Sequence, residues 1–287
     1  MTRTGSADRP TVLVTGGTGT LGRLVVERLR SAGRPVRVLA RHLPDDGASA
    51  EPRGSGSAGV EFVAGDLATG EGVAEALAGV GVVVHCAGSA AGDDAKARTL
   101  VDAAVAAGVE HLVHISVVGV DRIPVESRLD RAQFGYFEAK RLAEDVVTAS
   151  GLPWTILRAT QFHDFVADLA DQLGKMPVVP VFAGVSFQPV DARDVADRLT
   201  GLALGEPQGL VAELGGPTTY PMTDLVRDCL RATGRRRPIL PMRNPGKAAA
   251  AYRAGANLTP EHATGTRTWE DFLAERTRVL TAAGRSA

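Results

Sequence analysis

Thr11-Val-Leu-Val-Thr-Gly-Gly-Thr-Gly-Thr-Leu-Gly22 is the stretch that decides the fold. The apolar run Val12 to Val14 is β-type and ends in a glycine cluster. A helical pattern (Leu21, Leu24, Val25, Arg28, Leu29) follows at once, so the segment reads strand, tight turn, helix. A dinucleotide pyrophosphate needs bare backbone amides at a helix N-terminus, where the dipole favours anions and no Cβ blocks approach. Gly16, Gly19 and Gly22 have the spacing G-x-x-G-x-x-G, and Gly17, Gly19 and Gly22 also satisfy G-x-G-x-x-G. With a strand before it and a helix after it, the turn predicts a dinucleotide site.

Outward from this turn, strand and helix alternate. Val36–Ala40, Val60–Ala64, Val82–Cys86, Leu112–Ser116 and Trp154–Leu157 read as strands two to six. Their nearly unbroken apolar character is that of parallel strands covered on both faces. Ala95–Ala107 and Phe134–Ala149 read as helices between them. Repeated βαβ units with short loops predict a doubly wound parallel α/β sheet, with ligand at the C-terminal ends of the strands. Residues 161–173, 191–204, 222–233 and 268–282 read as helices, with only short strands between. The expected organisation is a tail at 1–10, a dinucleotide-binding core at 11–160, and a smaller, partly interleaved substrate lobe at 161–287. Pro44 to Gly59, rich in Gly, Ser, Ala and Pro, reads as a mobile excursion.

Composition excludes several classes. A net charge of −1 over 287 residues gives no electrostatic case for nucleic acid or an anionic membrane. Arg235–Arg237 reads as a solvated helix end. No apolar stretch reaches membrane-span length, and Met1 to Pro10 has no signal-peptide h-region, so a cytoplasmic protein is expected. The two cysteines, Cys86 and Cys229, read as reduced core thiols. The six histidines show no ligand spacing: His111 and His114 flank a strand, and His163 stands without partners. No metal is expected, and no Gly-x-Ser-x-Gly elbow supports hydrolase chemistry. Phe162, Phe165, Val166, Met176, Val178, Phe182 and Phe187 suggest a largely apolar substrate pocket, and a monomer or homodimer is expected.

The second strand bears on the choice of cofactor. NAD sites usually end it with a carboxylate that accepts from the ribose 2′-hydroxyl. Here it ends Val38-Leu39-Ala40-Arg41, and a guanidinium there pairs with a 2′-phosphate, which favours NADP. Asp66, after strand three, has two open roles: accepting from the adenine amino group, or N-capping the following turn.

Tyr136-Phe-Glu-Ala-Lys140 is the second constellation. Residues four apart share a helix face, so phenol and ammonium project together. A nearby ammonium lowers a phenol's pKa and fits it for proton transfer near neutral pH. With three tyrosines and four lysines in the chain, such a pair arises by chance in about one chain in twenty-five. Gly135 places Tyr136 near the start of its helix. Ser116, ending strand five, would hydrogen-bond the substrate oxygen. Tyr136, Lys140 and Ser116 are thus the candidate catalytic residues.

These motifs resemble the short-chain dehydrogenase/reductase superfamily, in its extended and atypical branches. Val113-His-Ile-Ser-Val-Val-Gly-Val-Asp121, Gly151-Leu-Pro-Trp-Thr-Ile-Leu-Arg158 and Gln188-Pro-Val-Asp-Ala-Arg-Asp-Val195 resemble the NmrA-like NAD(P)H-binding group. The similarity covers roughly residues 11–204. It implies a Rossmann fold with NADPH at Gly16, Thr18, Gly19, Thr20, Leu21, Gly22 and Arg41. It also implies contacts at Asp66, Leu67, Ala87, Gly88 and Lys140, and at Ala159 and Phe162 beside the nicotinamide. Three functions follow: an NADPH-dependent reductase of a carbonyl, quinone or enone; a dinucleotide-sensing regulator without turnover; or an epimerase or dehydratase of sugar-nucleotide type.

Overall fold

The computed structural model describes residues 10–43, 59–88 and 92–283. The tail at 1–9 and the predicted excursion at 44–58 lie outside them. The elements are β1 (Thr11–Thr15), α1 (Thr20–Ser31), β2 (Val36–Ala40), β3 (Val60–Ala64), α2 (Val73–Leu77), β4 (Val80–His85), α3 (Asp93–Ala107), β5 (His111–Val117) and α4 (Arg128–Thr148). They continue as β6 (Trp154–Ala159), α5 (His163–Leu173), β7 (Val179–Phe182), β8 (Ser186–Phe187), α6 (Ala192–Ala203), β9 (Gly209–Leu210) and β10 (Tyr220–Pro221). The chain closes with α7 (Met222–Ala232), β11 (Ile239–Met242), α8 (Lys247–Arg253) and α9 (Trp269–Ala283).

Seven strands form a parallel sheet in the order β3-β2-β1-β4-β5-β6-β9. The order reverses between β1 and β4, which makes their C-terminal ends the switch point where this architecture binds ligands. The continuous apolar runs have the expected cause: Val12, Leu13 and Val14 are fully buried, and all seven residues of β5 are buried.

The chain divides into two compact units, each built from more than one segment of the sequence. Residues 1–116, 139–157 and 196–211 form the first unit, and residues 117–138, 158–195 and 212–287 the second. In the first, Leu13, Leu77, Leu100, Leu112 and Ile156 form the core beside β1, β4 and β5. In the second, Val179, Val181, Phe187, Leu225, Val226 and Trp269 pack with Phe134, Phe137 and Tyr252. Its small sheets pair β8 with β10 antiparallel and β7 with β11 parallel.

The helix expected from Phe134 begins at Arg128, so Tyr136 lies well inside it and not at its start. Ser127 and Asp130 form a reciprocal cap: the Asp130 amide donates to Ser127 Oγ, and the Ser127 amide and hydroxyl donate to Asp130 Oδ2, at 3.0, 3.0 and 2.7 Å. Thr268 and Asp271 start α9 in the same way. Among the described residues no helix is long and apolar enough to cross a membrane.

Candidate functional site

In the first unit, the glycine turn is shaped by close backbone approach. Gly16 adopts φ +68°, and a Cβ on it would stand 2.7 Å from the Ala87 amide nitrogen after β4. A Cβ on Gly17 would meet Val38 Cγ1 of β2 at 2.7 Å, and one on Gly22 would collide with the Gly16 carbonyl. These three glycines let β1, β2, β4 and α1 come together. Gly19 differs. Its backbone is extended, and the nearest atom to a Cβ there is the Gly16 oxygen, at 3.3 Å.

Gly19 is also the N-cap of α1, and no side chain caps that helix end. Its amide donates to the Gly16 carbonyl at 3.0 Å, which curls the turn around the helix end. The first turn carries no acidic residue, and Thr18, Gly19 and Thr20 are exposed while Leu21 and Gly22 are buried. A bare, uncapped helix N-terminus with glycine at its mouth fits a pyrophosphate.

Thr15 joins β1 to β4. Its hydroxyl lies 2.7 Å from His85 Nδ1, and the Ala87 amide donates to it at 3.4 Å. His85 stacks on His114 with ring centroids 5.1 Å apart, and both imidazoles are buried. Burial holds His85 down to about 3 and His114 well below the ordinary value, with the Lys140 charge acting in the same direction. Both rings are therefore neutral near pH 7.

Lys140, on α4, is buried, and its Nζ lies 3.0 Å from Asp93 Oδ2 at the start of α3. A Cβ on Gly88 would stand 3.0 Å from that same Nζ, so the ammonium lies directly beside the loop that follows β4. Asp93 was not among the residues expected from the sequence. Ser116 is buried near the end of β5, and its hydroxyl finds no hydrogen-bond partner among the described residues. A buried hydroxyl without a partner is rare, and a bound oxygen would satisfy it.

The remaining first-unit candidates divide. Arg41 follows β2 directly and is exposed. Asp66 Oδ1 accepts from the Ala68 amide at 2.9 Å, so the turn-capping role is realised. Leu67 packs into the core. Cys86 lies just past β4 and is half-buried, whereas Cys229 is buried in α7; burial pushes both thiols up to about 12.

In the second unit, Tyr136 is 40 % exposed, with its ring edge-on to Phe137 at 5.8 Å. Phe137 in turn packs edge-on to Tyr252 at 5.8 Å. Ala159, at the end of β6, is buried and accepts from the Val118 amide at 3.0 Å, and Phe162 is the half-buried N-cap of α5. The expected apolar pocket is not assembled as one lining. Val166 and Phe187 are core residues, whereas Phe165, Met176 and Val178 face solvent.

His163 Nδ1 lies 3.8 Å from Asp191 Oδ2, beyond hydrogen-bond distance, and its ring packs against Trp269 and Phe272. Burial raises the Asp191 carboxyl, but hydrogen bonds from Arg193 and its charge outweigh that and hold it well below the ordinary range. Arg267 and Glu275 complete this network and fasten α9 to the segment after β8. Arg158 donates to Asp121 at 2.7 Å, which explains the pairing of those two motif residues. Among the described residues no group of three or more His, Cys, Asp or Glu side chains is placed to hold a metal.

The sheet order, the open glycine turn and the uncapped α1 define a dinucleotide-binding α/β protein. The chain belongs to the NAD(P)H-binding family, whose model matches residues 16–200. A short-chain dehydrogenase/reductase superfamily protein of Agrobacterium tumefaciens with bound NAD shares the fold, with TM-score 0.67 and 21% identity over 96% of this chain and 99% of that one. A (4-alkanoyl-5-oxo-2,5-dihydrofuran-3-yl)methyl phosphate reductase of Streptomyces griseus is 33% identical over 226 residues, 78% of this chain and 74% of that one. The photosystem II assembly factor Ycf39 of Cyanophora paradoxa is 26% identical over 238 residues, 78% of this chain and 69% of that one. Among solved structures, the NADPH-dependent quinone oxidoreductase QOR2 of Escherichia coli, complexed with NADPH, aligns with TM-score 0.72 and 20% identity, over 94% of this chain and 99% of that one. A nucleoside-diphosphate-sugar epimerase of Staphylococcus aureus aligns with TM-score 0.67 and 19% identity, over 92% and 99%.

Proposed function

We propose that this protein is an NADPH-dependent reductase of a small, largely apolar acceptor, either a conjugated enone or a quinone. The observation that carries the reading is the buried Lys140–Asp93 pair beside Gly88, on the loop after the strand next to the glycine turn. Burying an ammonium and a carboxylate is costly, so a pair at that place calls for a use. The 33% identical relative, named as a reductase of an oxo-dihydrofuran phosphate, supports the enone side of the proposal.

NADPH, when bound, supplies the hydride. The amides at the α1 N-terminus receive the pyrophosphate, and Arg41 pairs with the 2′-phosphate and so selects NADP over NAD. Lys140 holds ribose hydroxyls, its ammonium fixed by Asp93. Ser116 Oγ donates to the acceptor oxygen, and Tyr136 delivers the proton that balances the hydride. Ala159 and Phe162 are assigned to the nicotinamide side, and Asp66 keeps its second carboxylate oxygen for the adenine amino group. The residue roles rest on chemistry and on the family resemblance.

NADPH consumption read at its absorbance band, against a panel of butenolides, other enones, quinones, aldehydes and ketones, tests the reading. One acceptor class is expected to be turned over. Tyr136→Phe is expected to lose about 10²–10⁴-fold in turnover with little change in NADPH affinity, the usual range for a general acid. A second reading, dinucleotide binding without turnover, draws on the relatives named as assembly factors. Tight NADPH binding with no acceptor consumed would put it first.

A further inference from the structure

The two-stranded sheet of β7 and β11 is apolar on both faces. Val179, Val181 and Ile239 belong to or pack against the core of the second unit, where α7 lies against both strands. The register sets Leu240 beside Pro180 and Met242 beside Phe182; Pro180 and Phe182 are partly buried, Phe182 against that core, while Leu240, Met242 and Val178 are left outside it. Leu240 and Met242 are about half exposed, and Val178 nearly so. A strand apolar on both sides is normally covered on both sides. Here one side faces solvent.

The charge around this face is one-sided. The segments that build it, 174–187 and 234–247, hold Lys175, Arg235, Arg236, Arg237, Arg243 and Lys247 and no Asp or Glu, in a chain that is otherwise acidic. Arg235 pairs with Asp171 and Lys247 with Glu126. Arg236, Arg237 and Arg243 are exposed and have no ion-pair partner among the described residues. The whole-chain charge of −1, which argued against an anionic membrane, averages this excess away.

We propose that this face docks on an anionic lipid surface, with Leu240, Met242 and Val178 entering the headgroup region and Arg236, Arg237 and Arg243 meeting lipid phosphates. Exposed apolar side chains on a strand with exposed arginines at both of its ends match an interface that is hydrocarbon below and negative above. A second copy of the chain is a poor occupant, because a two-fold contact would set these cations against themselves. Strand addition is also disfavoured. The carbonyls of Pro238 and Met242 point to β7, so residue 241 faces the open edge, and as proline it offers no N–H.

Each arginine near an anionic surface strengthens binding about fivefold, so the three unpaired ones give about a hundredfold. Co-sedimentation of the full chain with vesicles of mixed phosphatidylglycerol and phosphatidylcholine, and with phosphatidylcholine alone, tests this. Salt-sensitive binding to the anionic vesicles only is expected. It should fall about a hundredfold or more for R236E/R237E/R243E and clearly for L240S/M242S, with thermal unfolding of both variants unchanged. Absence of binding to the anionic vesicles overturns the proposal, as does undiminished binding by the charge-reversed variant. Binding to polyglutamate but not to vesicles overturns it in favour of an acidic protein. A dimer that L240S/M242S dissociates, without vesicle binding, overturns it in favour of a second copy.

Discussion

Asp93→Ala removes the carboxylate that lies 3.0 Å from Lys140 Nζ, and both side chains are less than a tenth exposed. At that distance and an effective dielectric of about 20, the gross attraction is about 5 kcal/mol. Desolvation of the two charges offsets most of it, so the intact pair adds little net stability over an apolar replacement. Leaving one charge buried without its partner is different and costs about 3–5 kcal/mol. Domains of this kind have about 5–15 kcal/mol in total, so Asp93→Ala and Lys140→Met should each forfeit a large share. The double variant leaves neither charge stranded and should lose clearly less than the two single losses added together. Urea unfolding at pH 7, followed by circular dichroism and extrapolated linearly, reads all three. Single losses below about 1 kcal/mol, or a double that equals their sum to within about 0.5 kcal/mol, would refute the picture of a dry, coupled pair. NADPH affinity of Asp93→Asn separates the functional claim from the structural one: weaker cofactor binding is expected even where the protein stays folded.

Gly19→Val should abolish NADPH binding in calorimetric titration with about 1 kcal/mol lost in stability, because the backbone there is extended and the nearest neighbour of an added Cβ, the Gly16 carbonyl oxygen at 3.3 Å, has to give only slightly. Gly22→Ala should instead cost about 2 kcal/mol or more in urea unfolding, since its Cβ meets the Gly16 carbonyl. Arg41→Ala should shrink a several-fold preference for NADPH over NADH, and equal affinities in the wild type would dismiss the role of Arg41. For pH, His85 is held down to about 3 in the fold against about 6.5 unfolded, so the unfolded chain binds the extra proton first. The contribution is complete above pH 6.5 and is lost as pH falls toward 3, reaching about 2 kcal/mol at pH 5. His85→Gln should flatten the pH dependence of unfolding over that window.

What the sequence made legible was local. The strand–glycine–helix start, the apolar strands and the ends of most helices depend on neighbours within a few residues, and they match the observed elements closely. The start of α4 was equally local and was still missed. Ser127-x-x-Asp130 is a readable capping signal, but the strong apolar period beginning at Phe134 drew the boundary inward. Lys140 was marked from its spacing to Tyr136, whereas Asp93 was invisible. Nothing near Asp93 in the chain announces that the start of α3 meets the middle of α4, and a carboxylate in a first helical turn usually serves the dipole alone.

The same argument covers the charged apolar face. Lys175 and Arg236 are about sixty residues apart in sequence, and each segment taken alone reads as a solvated loop or helix end. The parallel register of β7 and β11 makes them one surface. Asp191 shows the point again: its network is closed by Arg267 and Glu275, which lie on or just before α9, with His163 3.8 Å away. Each pairing joins residues on different elements, and hydrophobic periodicity reports which face of an element is buried, never which element covers it. The parts of the site that the chain concealed are therefore its charge partners. Removing Asp93 should show first in cofactor affinity and stability, whereas removing the Tyr136 hydroxyl should show in turnover.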